Sequence, residues 1–142
     1  MLTIALPKGR IADETLDRFE KAFGEKFVFE DRKLILEKSG FKFLNVRNQD
    51  VPTYVMHGAA DLGVVGLDVL EEKEYDLIKL LDLKLGRCKV AFGLRAGEKL
   101  NFDKSKITIA TKHEKIAKKY FEQKAMAVEI IKLYGSIELA PL

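Results

Sequence analysis

The stretch from Ile4 to Leu16, IALPKGRIADETL, joins an apolar run to a polar break at Pro7-Lys8-Gly9-Arg10 and then to a segment with helical spacing. Leu2 to Leu6 reads as a short buried strand. Ile11, Leu16, Phe19 and Phe23 fall on one helical face, with Asp13 and Glu14 in the first turn, where the helix dipole favours acids. Strand, turn and helix in succession open an α/β unit, and the turn lies where parallel sheets place their ligands. Gly9 lets the backbone approach a ligand, the helix start offers unbonded N–H groups, and Lys8 and Arg10 add charge, a combination suited to phosphate. Taken locally, a solvated turn explains these residues somewhat better. The further glycines of a dinucleotide fingerprint or a Walker loop are missing.

The rest of the chain repeats this alternation. Lys33 to Glu37 and Phe41 to Val46 have strand composition and are joined as a hairpin through Lys38-Ser39-Gly40. Asp50-Val51-Pro52 predicts a helix start, with a capping acid and a first-turn proline, and a stop at Gly58 after His57. DLGVV, Asp61 to Val65, predicts a buried strand, and Gly66-Leu67-Asp68 leads into another helix from about Val69. Asp76 to Leu81 and Gly86 to Arg95 are read as strands, and Ala96 to Ser105 as the transition between lobes. Lys106 to Ala110 is again a strand. Ile116, Ala117, Tyr120 and Phe121 stripe a helix, and Ala127 to Ile131 is a strand leading to Tyr134-Gly135-Ser136, where Ser136 is placed to cap a helix. The prediction is an α/β fold with parallel strands in two lobes, 1–93 and an incomplete 94–142.

Composition bounds the function. With 142 residues, 47% hydrophobic and 33% charged, the chain can bury a sizeable core. Lys and Arg total 25 against 22 for Asp and Glu, and a net charge of +3 is too small and scattered to indicate a nucleic-acid partner. One cysteine, Cys88, excludes an internal disulfide framework, and with only His57 and His113 there is no structural zinc set, so the expected setting is cytoplasmic. No run of residues approaches a membrane span.

Few side chains invite chemistry one by one. Arg32 and Arg47 flank strands and read locally as surface charges, gaining meaning only if they converge with Arg10 on one crevice, where several guanidiniums match a polyphosphate. Asp50 and Asp68 read as helix caps, although either can meet a ribose hydroxyl or a metal-bound water. Glu138 reads as an ordinary first-turn acid, Cys88 as a packed thiol within a strand, and the Lys112, Lys115, Lys118 and Lys119 face as solvated surface.

Taken together, LPKGRI, DRKLI, RNQDVPTYVMHGAADLGVVGLDVL, DLKLGRCKV, ITIATKHEKIAKKYF and IIKLYGSIELAPL resemble, in order and across nearly the whole chain, the ATP phosphoribosyltransferase family of histidine biosynthesis in its short form. The resemblance implies a two-lobed fold similar to type II periplasmic binding proteins. It implies that N1 of ATP attacks the anomeric carbon of phosphoribosyl pyrophosphate (PRPP) and that pyrophosphate leaves with Mg²⁺. Such a reaction needs arginines and a metal rather than a covalent nucleophile.

By the same resemblance, Arg10 and Arg32 match family arginines on the substrates' phosphates and are expected to stabilise the leaving group. Lys8 and Gly9 share the turn of Arg10. Arg47 and Asp50 match a block on the first-lobe side of the cleft, and Asp68, Ser136 and Glu138 match its rim; no residue is assigned as a direct metal ligand. A regulatory partner similar to histidyl-tRNA synthetase is implied, in a hetero-oligomer. The family's signature continues past GSIELAPL into a PRPP-binding loop that this sequence does not contain, so a fragment inactive alone is expected. The rival expectation is a non-catalytic, effector-sensing lobe.

Overall fold

The computed structural model describes residues 1–99 and 106–140. These residues group into two units, Met1–Leu70 with Glu74–Arg87, and Glu71–Lys73 with Cys88–Leu142. The change of unit at Arg87 and Cys88 comes earlier than the boundary placed at 93. The expected transition loop, Ala96 to Ser105, lies from Leu100 onward outside the described residues.

The first unit is built on a four-stranded sheet of order β2-β3-β1-β4. Strand β1 (Leu2–Pro7) is central and parallel to β3 (Phe41–Val46) and β4 (Leu62–Gly63), while β2 (Ile35–Lys38) runs antiparallel to β3. The β2-β3 hairpin turns through Ser39 and Gly40, both at positive φ, the backbone that a two-residue turn needs to follow the strand twist. Helix α1 (Arg10–Phe23) lays Ala12 and Leu16 against Ile4, Leu6 and Phe43 on one face of the sheet. On the other face, Ala5 packs with Val51 at the start of α2 (Val51–Met56) and with Ala60. Period-two alternation in β1 thus feeds two cores, Ile4 and Leu6 to one and Ala5 to the other.

Aromatic packing closes the larger core. Phe19 of α1 meets Phe43 edge-on at 5.0 Å between ring centroids and Phe41 at 5.2 Å, and Phe27 meets Phe43 at 5.6 Å, geometries that the ring quadrupole favours. Helix α3 (Leu67–Lys73) follows β4, and its residues divide between the two units.

In the second unit, β5 (Ile107–Thr111) pairs in parallel with β6 (Val128–Lys132), and α4 (Glu114–Gln123) crosses between them, burying Ala117 and Phe121. Phe92 packs against Tyr120 and Phe121 at 5.3 and 5.0 Å. No side chain of its own cap position closes the start of α4. The buried Glu72 does so from 43 residues away, accepting the Lys115 N–H at 2.9 Å and the Ile116 N–H at 3.1 Å. A carboxylate there satisfies two orphan donors and lies at the positive end of the helix. Glu72→Ala is expected to cost about 1–3 kcal/mol, with faster hydrogen exchange at those two amides; unchanged exchange would contradict it.

Three expectations fail here. The strands expected at Asp76 to Leu81 and Gly86 to Arg95 do not form, because neither segment has a neighbouring strand to exchange ladder bonds with. Ile78, Leu80 and Leu81 are 86%, 73% and 78% exposed in consequence. Cys88, expected to be packed within the second of these, is exposed. Of the DLGVV strand, only Leu62 and Gly63 join the ladder, although the Val64 N–H continues it to Ala5 O at 2.9 Å.

Candidate functional site

Register brings the sequence-predicted cations of the first unit to one edge. The ladder pairs Ile35 with Leu44 and Leu44 with Ala5, so the start of antiparallel β2 lies level with the carboxyl ends of parallel β3 and β1. Two hydrogen bonds extend that alignment past the strands. Asn45 N–H donates to Leu34 O at 2.8 Å, and Lys8 N–H donates to Val46 O at 2.8 Å. Arg32 before β2, Lys8-Gly9-Arg10 after β1 and Arg47 after β3 therefore share the carboxyl edge of the sheet. Gly66 to Asp68, following β4, reach the same edge because β4 runs parallel to β1.

Each turn at this edge has a local cause. Gly9 has φ 105 and ψ −149, a conformation essentially restricted to glycine, and it lets the chain leave β1 and start α1 at the next residue. Its carbonyl then accepts the Asp13 N–H at 3.2 Å. Arg10, read from sequence as part of the turn, is the first residue of α1, with Nε 3.1 Å from Glu14 Oε1 and a well exposed side chain. Arg32 sits in a left-handed turn at φ 61, beside an ion pair between Lys33 and Glu30. Arg32 and Arg47 are exposed and form no ion pair among the described residues.

The capping roles expected of the acids and of Ser136 are not found. Asp50 closes a 3₁₀ turn, Asn48 to Asp50, that runs straight into α2. Its backbone is already helical (φ −92, ψ −16), so its side chain makes no cap bond, and its N–H donates to Arg47 O at 2.9 Å. At α3 the cap position belongs to Gly66. Asp68 lies inside the first turn with Oδ1 folded over Gly66, where a Cβ would fall 2.4 Å from it. Ser136 is left-handed (φ 51, ψ 39) and precedes only the 3₁₀ turn Ile137–Leu139, with no side-chain cap bond. Ser136 and Glu138 are exposed and follow β6 in the second unit.

Two polar side chains at the edge were missed from sequence. Asn45 Oδ1 and Asn48 Oδ1 are buried and accept no hydrogen bond among the described residues. A signal existed for the first. In FKFLNV, Asn45 lies two residues after the buried Phe43 and so on the core-facing side of β3, an unusual place for a carboxamide.

The arrangement can bind anions. Several exposed cations, held by a rigid sheet edge beside the start of a fourteen-residue helix, match the oxygens of a polyphosphate. Among the described residues, no group of three or more His, Cys, Asp or Glu side chains could hold a metal ion. No helix is long and apolar enough to cross a membrane among those residues.

Comparisons with known proteins agree on one family. A family model described as ATP phosphoribosyltransferase matches residues 47–142. The chain is similar to the ATP phosphoribosyltransferase of Wolinella succinogenes, 70% identical over 142 residues, which are 100% of this chain and 69% of that protein. It is similarly related to the enzyme of the same name from a Sulfurovum species, at 66% identity over 100% of this chain and 69% of the relative. Among solved structures it resembles the ATP phosphoribosyl transferase (HisG:HisZ) complex from Thermotoga maritima. That match has a TM-score of 0.69 at 34% identity and covers 100% of this chain and 69% of the other. With curated relatives and a solved structure matching the whole chain and the family model matching residues 47–142, the protein belongs to the ATP phosphoribosyltransferase family.

Proposed function

We propose that the carboxyl edge of the first sheet is a polyphosphate-binding surface for phosphoribosyl transfer from PRPP to N1 of ATP, the opening reaction of histidine biosynthesis. The observation that supports this reading is that the turns bearing Lys8, Arg10, Arg32 and Arg47 lie along one edge of the sheet. In the reaction, the N1 lone pair forms the new bond to the anomeric carbon. The bond from that carbon to pyrophosphate breaks, and its electron pair leaves with the pyrophosphate. Charge grows on the departing oxygens, and Arg10 and Arg32 are the groups assigned to stabilise it. Lys8 and the Gly9 turn hold phosphate oxygens, and Arg47 orients the same chain of phosphates.

Mg²⁺ would arrive on the substrate phosphates, since the described residues supply no complete ligand cage, and it would add positive charge where pyrophosphate leaves. Asp50 and Asp68 are the carboxylates at this edge able to receive its water shell. In this reading, Ser136 and Glu138 are further substrate-binding residues, and the fold is two-lobed and of the periplasmic-binding-protein kind. The Thermotoga maritima protein is solved as a complex of HisG with HisZ, and a subunit of the HisZ kind, similar to histidyl-tRNA synthetase, is proposed as the partner.

Calorimetry tests the site directly. ATP and AMP are expected to bind, to be displaced by inorganic tripolyphosphate, and to bind more weakly as salt is added. Binding of an amino acid or small carboxylate in place of nucleotide would instead establish an effector-sensing lobe.

A further inference from the structure

Arg87, in the stretch DLKLGRCKV, is a cation that neither packing nor pairing accounts for: it is exposed and forms no ion pair among the described residues. Residues 82–86, which lead to it, are neither helix nor strand, and two left-handed residues set their course. Lys84 has φ 53 and donates its N–H to Asp82 Oδ1 at 2.8 Å, and Gly86 has φ 63. Gly86 lies against α1 of the same unit, where a Cβ built on it would fall 3.1 Å from Cγ1 and 3.3 Å from Cδ1 of Ile11. Both the backbone angle and the close approach favour glycine. Ile11 is the second residue of α1, directly after Arg10. Consecutive Cα atoms are about 3.8 Å apart, so Arg87 follows one step from this contact, beside the first turn of the helix. A cation at the positive end of a helix, close to a second arginine, is an unfavourable placement unless an anion joins it. The nearby acids do not neutralise it, since Glu14 is taken by Arg10 and no ion pair joins Asp13 to Arg87.

We propose that Arg87 is a further phosphate-binding residue, placed beside the first turn of α1 by the contact of Gly86 with Ile11, and that it holds polyphosphate oxygens together with Lys8 and Arg10. This rests on the polyphosphate reading of the sheet edge. It adds a cation that no strand end supplies, carried instead by the last residue of the first unit. A guanidinium presents a planar fork of donors that two oxygens of a phosphate accept together, so the bound anion turns the repulsion among these cations into attraction. Gly86 is the positioning residue, since its backbone and its lack of a side chain bring Arg87 to the helix.

The test is calorimetry on the full chain with inorganic tripolyphosphate, at low and at raised salt. Arg87→Ala is expected to bind it about tenfold more weakly, with a shallower salt dependence and an unchanged urea midpoint. Arg87→Lys keeps the charge and should recover part of the loss. Gly86→Ala leaves the guanidinium in the chain but displaces it, and should also weaken binding; should that variant fail to fold, the exposed Arg87 variants decide the proposal by themselves. Lys84→Ala removes an exposed charge from the same segment and should leave the affinity unchanged. Unchanged affinity in Arg87→Ala, with Arg10→Ala weakened, overturns the inference and leaves the polyphosphate reading standing. An equal loss in Lys84→Ala also overturns it, because it marks general charge attraction. A wild type that does not bind tripolyphosphate overturns the polyphosphate reading itself.

Discussion

Arg10→Ala combined with Arg32→Ala is expected to weaken ATP binding about a hundredfold, roughly tenfold for each guanidinium removed, as measured by calorimetry at low ionic strength. Both side chains are solvent-exposed, so each contribution is modest and screened. Arg10 must also exchange its contact with Glu14 for the ligand, which lowers its net effect further. The loss should be nearly additive, because the two residues stand on separate turns joined only through the sheet. Raising salt should weaken the wild type far more than the double variant. Arg18→Ala, lower on the same helix, is the control and should leave ATP affinity unchanged. An unaltered affinity in the double variant would remove the polyphosphate assignment from this edge.

Phe43→Ala is expected to lower the unfolding free energy by about 3–5 kcal/mol, read as a shift in the urea midpoint at unchanged slope. The ring is fully buried in the middle of β3 and lies against Phe19 of α1, Phe27 in the segment after α1, and Phe41 of β3, so truncation opens a cavity among these three rings. That loss is a large share of the total stability of an ordinary domain. Phe23→Ala is the contrast, since that ring is 55% exposed and its removal should cost far less. Phe43→Leu, which fills most of the volume, should fall below about 1.5 kcal/mol. Equal effects at positions 43 and 23 would contradict the packing described for the core.

Phe43 also shows which parts of the fold were legible in the sequence. Local patterns located every helix and strand of the described residues to within a few positions, because each carried its own period and punctuation. The α1 stripe is one case, the Ser39-Gly40 reversal another, and Pro52 at the head of α2 a third. Segments 76–81 and 86–95 failed for the complementary reason. Strand composition expresses a preference for a half-buried pleated surface, whereas a strand exists only if a neighbour supplies the ladder. The caps assigned to Asp50, Asp68 and Ser136 failed because capping depends on the φ and ψ of a single residue. Those angles were fixed by the preceding 3₁₀ turn at Asp50, by Gly66 at α3 and by the left-handed bend at Ser136.

The sequence by itself determined the alternation of strands and helices, the phosphate-compatible turn at Lys8-Gly9-Arg10, and, through motifs running the length of the chain, the family. It left Arg10, Arg32 and Arg47 as three separate charges. Only the tertiary structure decided that the turns bearing them lie along one edge of the sheet, because that placement is a matter of register. The antiparallel β2 begins level with the ends of parallel β3 and β1, and the bonds from Asn45 to Leu34 and from Lys8 to Val46 hold the three turns at one edge. The buried oxygens of Asn45 and Asn48 were decided in the same way. Whether a carboxamide finds a donor depends on what packs around it, which no local pattern records.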